Sequence, residues 1–152
     1  MNRIIKFRAW DKTFKRMIAV DVLEWQKFSA DDSVCYIRGE FKDNFLGQTK
    51  ELQTDSTTIK NIELMQFTGL TDKNGKEIYE GDIFNCIYNF DGCKDHKQVV
   101  VYVETSARFI TKDYGECHQP RVTQTMSDMH RMEIIGNIYE SKHLIDNTDT
   151  KE

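Results

Sequence analysis

Short runs of alternating apolar and polar residues, separated by clusters of glycine, asparagine, aspartate and serine, dominate the chain, while the three-to-four spacing of a long amphipathic helix is hard to find. In residues 4–10, IIKFRAW, Ile5, Phe7 and Ala9 fall on one face and Lys6, Arg8 and Trp10 on the other, the pattern of a half-buried strand. Asp11-Lys12-Thr13 reads as a turn, and Phe14 to Val20 as the returning strand of a hairpin. Residues 21–28, DVLEWQKF, fit either period and are read as strand or irregular. After the polar turn Ser29-Ala30-Asp31-Asp32-Ser33, Val34 to Arg38 predicts a brief strand ending at Gly39. Residues 40–58 have only Phe41, Phe45, Leu46 and Leu52 as anchors, so a loop or mobile connection is expected there, with a subdomain boundary near it.

The stretch Leu64 to Phe84, LMQFTGLTDKNGKEIYEGDIF, has an assignable job at nearly every position. Thr68-Gly69-Leu70 bends an apolar run. In Asp72-Lys73-Asn74-Gly75 the aspartate caps its own backbone and Gly75 or Asn74 supplies the left-handed residue of a turn. Glu80-Gly81-Asp82 makes a second tight corner that feeds a strand from Ile83. Gly69, Gly75 and Gly81, spaced six apart, follow no phosphate-cradling pattern, so these five positions (Gly69, Asp72, Gly75, Gly81 and Asp82) are expected to be structural. Further strands are predicted at Asp82–Phe90, at Lys97–Glu104, the run richest in Val and Tyr, and at Ala107–Lys112. Met132–Glu140 closes the fold, Gly136 marking a bulge or a close backbone approach, and residues 146–152 read as a disordered tail. The fold class expected is mainly β with little helix: an N-terminal β-hairpin subdomain over 1–60, then a turn-rich link and a small bent antiparallel barrel, SH3-like in style, over 61–145.

Three blocks, IIKFRAWDKTFKRM, LMQFTGLTDKNGKEIYEGDIF and MEIIGNIYESKHLI, resemble in sequence, order and spacing the signature blocks of the YopX-like proteins, small products of bacteriophages and integrated prophages. The blocks bracket the chain from Arg3 to Ile145; residues between Val20 and Ile62 lie outside them. The resemblance implies a phage-encoded, mainly β protein acting inside a bacterial host. It implies no chemistry, the family being without an established activity, and no catalytic residue is carried over.

Composition narrows the class of function. The 152 residues suit one domain or two small subdomains, 39% are apolar and 30% charged, and 25 acids against 21 bases give a net charge of −4. That balance argues against whole-protein attraction to nucleic acid or an anionic membrane. No apolar stretch has the length of a transmembrane helix and the N-terminus lacks a signal-peptide core, so a cytoplasmic protein without membrane contact is expected. Cys35, Cys86, Cys93 and Cys117 are irregularly spaced and read as reduced thiols.

Three constellations are candidates for chemistry. Cys86, Cys93, His96, Cys117 and His118 include a Cys-x-x-His interval, but zinc wants three or four converging ligands and there is no Cys-x-x-Cys pair, so buried or loop residues are the preferred reading and no metal or cofactor is assigned. Glu77, Glu80 and Asp82 cluster near one turn, where Asp82 is expected to accept from backbone amides, and no catalytic residue is assigned. The third is the N-terminal hairpin, where Arg3, Lys6, Arg8, Lys12, Lys15 and Arg16 face only Asp11; residues 1–18 carry +5 and the remaining chain −9. Interleaved with Phe7, Trp10 and Phe14, this surface suits nucleic acid, following phosphates and stacking bases, or a protein partner, with Lys6, Arg8 and Trp10 exposed together. Its bland reading is a solvated, protected edge strand. The function expected is a non-enzymatic binding or assembly module with a protein partner or self-association; the alternative is a small nucleic-acid-binding or metal-dependent enzyme in phage DNA metabolism.

Overall fold

A computed structural model of the chain describes residues 4–27, 33–42, 49–53, 61–85, 97–114 and 131–146. The described elements are all antiparallel strands and short 3-10 turns, with no α-helix among them. The chain divides into two compact units, Ile5–Gln66 and Phe67–Glu152, the latter taking in Met1–Ile4.

The first unit begins with the hairpin of β1 (Phe7–Asp11) and β2 (Arg16–Lys27), closed by residues 12–15. Its register runs from Phe7 opposite Val20 to Asp11 opposite Arg16. β2 does not stop at the ambiguous segment; it continues to Lys27, pairing with β3 (Ser33–Lys42). A register shift between Val20 and Val22 places exposed Asp21 as the extra residue. That bulge accounts for the ambiguity of 21–28, which fit either period: after one inserted residue the alternation changes phase, so Ile18 and Val20 before it and Leu23 after it share one face.

β3 likewise outruns the brief strand expected at Val34–Arg38, passing through Gly39 instead of ending there. A Cβ at Gly39 would collide with the Ala19 carbonyl oxygen, so the glycine serves close approach at the bulge. β4 (Thr49–Gln53) corrects the loop expected over 40–58, pairing Arg38 with Gln53 through Lys42 with Thr49. The other side of β1 pairs with the first half of β5 (Ile62–Thr71), so β1 is an interior strand and not the edge strand of the bland reading. The core of this unit is Ala9, Ile18, Ile37 and Ile62, flanked by Val20, Leu23 and Leu64.

In the second unit, the last part of β5 pairs with β6 (Glu77–Tyr79), with a register shift between Phe67 and Thr71 around Gly69, whose φ is +90°. β7 (Asp82–Asn85), β8 (Lys97–Val103), β9 (Arg108–Tyr114) and β10 (Ile134–Asn137) form a second sheet in the order β10-β7-β8-β9, an open ladder among the described residues. A 3-10 turn, Glu104–Ser106, joins β8 to β9. The strands predicted at Lys97–Glu104 and Ala107–Lys112 are β8 and β9; of Asp82–Phe90, residues 86–90 lie outside the described residues, as do 147–152 of the expected tail. The bulge expected at Gly136 is present, with the register shifting between Ile134 and Gly136. Ile78, Phe84, Val100, Met132 and Ile134 form the core here.

Candidate functional site

Among the described residues three carboxylates are buried, Asp11, Asp72 and Asp82, and each accepts from backbone amides. Asp72 Oδ1 accepts from the amides of Asn74 (2.8 Å) and Lys76 (2.9 Å), closing the turn as its sequence promised. Its Oδ2 also accepts from the Ile134 amide (3.2 Å), a donor sixty-two positions away, while the Lys73 amide donates to the Met132 carbonyl (2.9 Å). One turn therefore anchors the start of β10. Burial pushes the Asp72 carboxyl up, but the amides of Lys76, Ile134 and Asn74, with the Lys76 ammonium, together outweigh it and hold the group below the usual carboxylate value.

At the corner, Asp82 Oδ2 accepts from the Tyr79 amide (2.8 Å). Gly81, at φ +79°, donates to the Val100 carbonyl (2.8 Å), and its own carbonyl accepts from the Ile138 amide (2.9 Å), so the corner ties β8 to the segment after β10. Gly75 has φ +81° in open surroundings. Glu77 Oε2 accepts from the Tyr79 hydroxyl (2.8 Å); Glu77 and Glu80 are half-buried. A further turn was not read from the sequence: Asn137 Oδ1 accepts from the amides of Tyr139 (3.0 Å) and Glu140 (2.9 Å).

At the N-terminal hairpin the structure redistributes the expected surface. Asp11 is fully buried, Oδ1 accepting from Thr13 (3.0 Å) and Phe14 (3.1 Å) and Oδ2 from Arg16 Nε (3.2 Å). Lys12 Nζ is ion-paired with Glu63 (2.7 Å), because β5 brings that acid beside β1. Arg8 is half-buried, its Nε donating to Met65 Sδ (3.4 Å). Trp10 is a correction. With β2 and β5 on its two sides, β1 has Ala9 and Trp10, on opposite faces, both buried, so Trp10 is not exposed alongside the charges. Lys6 is exposed, and Arg3 lies outside the described residues.

Besides Lys6, the tip stands at the surface. Phe14 is 66% exposed, with the Arg16 guanidinium 4.7 Å above its ring, and exposed Lys12 and Lys15 flank it. Lys15 adopts φ +50°, a conformation in which glycine is far more at ease. Cys86, Cys93, His96, Cys117 and His118 lie outside the described residues. Among the described residues no group of three or more His, Cys, Asp or Glu is placed to hold a metal ion, and no helix is long and apolar enough to cross a membrane.

The fold and these turns define the class: a mainly β protein of two units, antiparallel in its described strands, with buried carboxylates that close turns. Residues 6–146 match the model of the YopX protein family, and the chain belongs to that family. Its three sequence blocks meet in space within the units, the first pairing with the start of the second as β1 against β5, and the third held by the Asp72 turn and the Gly81 corner of the second. Among solved structures the chain is similar to protein EF1440 from Enterococcus faecalis, at 24% identity and a TM-score of 0.59 over 95% of this chain and 100% of that one, a likeness of fold alone. No curated protein sequence matches it.

Proposed function

We propose that the chain is a phage- or prophage-encoded, non-enzymatic binding or assembly module acting in the cytoplasm of a bacterial host, with the β1–β2 tip as its docking element. The observation that carries this reading is Phe14: a phenyl ring 66% exposed at the end of a hairpin, steadied by Arg16 and flanked by two lysines. A large apolar side chain at a hairpin tip gains most by entering a pocket on another surface, and exposed Lys15 beside it steers that encounter toward an acidic rim. Lys15 strengthens the case, since a side chain is kept where glycine would relieve the backbone. The buried carboxylates support the non-enzymatic side of the reading, because Asp11, Asp72 and Asp82 all accept from backbone amides. A bent, SH3-like C-terminal barrel belongs with this reading, as a scaffold that leaves turns and hairpin tips for recognition.

The test is sedimentation equilibrium of the pure protein over a wide concentration range, paired with photo-crosslinking from position 14 in host cells. Self-association, or a single crosslinked protein, is expected for the wild type, to be lost in Phe14→Ser without change in thermal stability. A monomer that crosslinks to nothing would end the proposal.

A further inference from the structure

A second group of cations lies in the Phe67–Glu152 unit, on a face that the sequence never singled out. In the β8–β9 ladder, Lys97 pairs with Tyr114, Val99 with Lys112, Val101 with Ile110 and Val103 with Arg108, and strand alternation puts these four pairs on one face. The other face carries Val100, Phe109 and Asp113 and is packed on the core with Phe84 and Ile134. β7 continues the first face with Ile83 and Asn85. Across these paired positions of β7, β8 and β9 the face holds three cations and no acid, in a chain whose net charge is −4.

The face is graded. At its β7 side Ile83 and Val99 are buried; at its β9 side Arg108 and Lys112 are exposed, and Val101, Ile110 and Tyr114 are half-buried. Lys97 Nζ donates to Asn85 Oδ1 (2.7 Å), and Lys112 Nζ lies 5.6 Å from the centroid of the Tyr114 ring. Neither contact neutralises a charge, and among the described residues none of the three cations is ion-paired. Two cations of the hairpin are, by contrast, ion-paired, Lys12 with Glu63 and Arg16 with Asp11.

We infer that the β8–β9 face is a binding site for single-stranded nucleic acid, distinct from the docking tip and independent of the reading given for it. Phosphates would meet Lys97, Arg108 and Lys112, and bases would lie on the half-buried apolar strip beside Tyr114, the combination of cationic track and stackable ring that binds single strands without reading sequence. An acidic protein surface would satisfy the charges but has no use for the ring. Duplex DNA would present phosphates without free base faces.

The experiment is fluorescence anisotropy with a labelled oligothymidylate of about 16 nucleotides, within the span of single-strand sites. Saturable binding is expected at low salt. With three phosphate contacts the logarithm of affinity should fall with the logarithm of salt at a slope of about −2, so a fourfold rise in salt weakens binding about twentyfold. The double change Arg108→Glu and Lys112→Glu, both at exposed positions, should weaken binding by about tenfold or more with the thermal transition unchanged. Tyr114→Leu should weaken it by about tenfold at an unaltered salt slope, and Phe14→Ser should leave it alone. The inference is overturned by no saturable binding, by binding that survives the double charge change, by equal loss in Phe14→Ser, or by poly-glutamate competing as well as the oligonucleotide.

Discussion

Asp72→Ala is the change whose consequences the structure defines most fully. It deletes an acceptor from three backbone amides at once. Asn74 and Lys76 are exposed, so water can replace the carboxylate there and each bond accounts for about 0.5–1.5 kcal/mol. The Ile134 amide is buried and would be left without an acceptor, at about 1–3 kcal/mol. Relief from burying the carboxylate offsets part of the sum, so a loss of about 3 kcal/mol is expected. For a chain of this size that lowers the melting temperature by about 6–12 °C. Both tryptophans, Trp10 and Trp25, lie in the Ile5–Gln66 unit, so their fluorescence reports on the wrong half of the molecule. Far-UV circular dichroism in urea, with amide exchange at Ile134, reads the right one: protection at that amide should collapse in the variant before the rest of β10. The pH dependence supplies a second arm. Because folding lowers the Asp72 value, its contribution is full above the unfolded value of 3.8 and is lost as pH falls through the lower folded value. Asp72→Asn should therefore start less stable and lose less on acidification. A change under about 0.5 kcal/mol in Asp72→Ala, the scale of an ordinary surface substitution, would refute the assignment of this side chain as the anchor of β10.

Other expectations are simpler. Gly39→Ala places a methyl against the Ala19 carbonyl and should lower stability by about 2–3 kcal/mol, seen as a shift in the urea midpoint; an unshifted midpoint would mean the bulge yields freely. Gly81→Val meets both a left-handed φ and a buried corner, whereas Gly75→Val meets only the φ, so losses of about 3 and 1 kcal/mol respectively are expected from thermal melts, and equal losses would contradict the distinction. Lys15→Gly relieves the backbone at the tip and should stabilise by about 0.5–1 kcal/mol while weakening any Phe14-dependent association; destabilisation would show that the lysine side chain holds the turn.

Local chemistry made part of this molecule legible in advance. The turn at Asp72–Gly75, the corner at Gly81, the bulge at Gly136 and the strands β8 and β9 were all readable, because each depends on a backbone preference or an alternation contained within a few residues. The length of β2 and β3, the existence of β4 and the burial of Trp10 were not, because a polar or ambiguous segment becomes a strand when a neighbour supplies its hydrogen-bond partners. The charge map shows the same division most sharply. Counting along the chain marks residues 1–18 as the basic surface, yet pairing β1 with β5 sets Glu63 beside Lys12, while the β8–β9 register gathers Lys97, Arg108 and Lys112, scattered over sixteen positions of sequence, onto one face whose described paired positions hold no acid. Charge adds in sequence without regard to distance, but electrostatic energy falls with separation, so only the folded register decides which charges cancel and which remain to meet a partner.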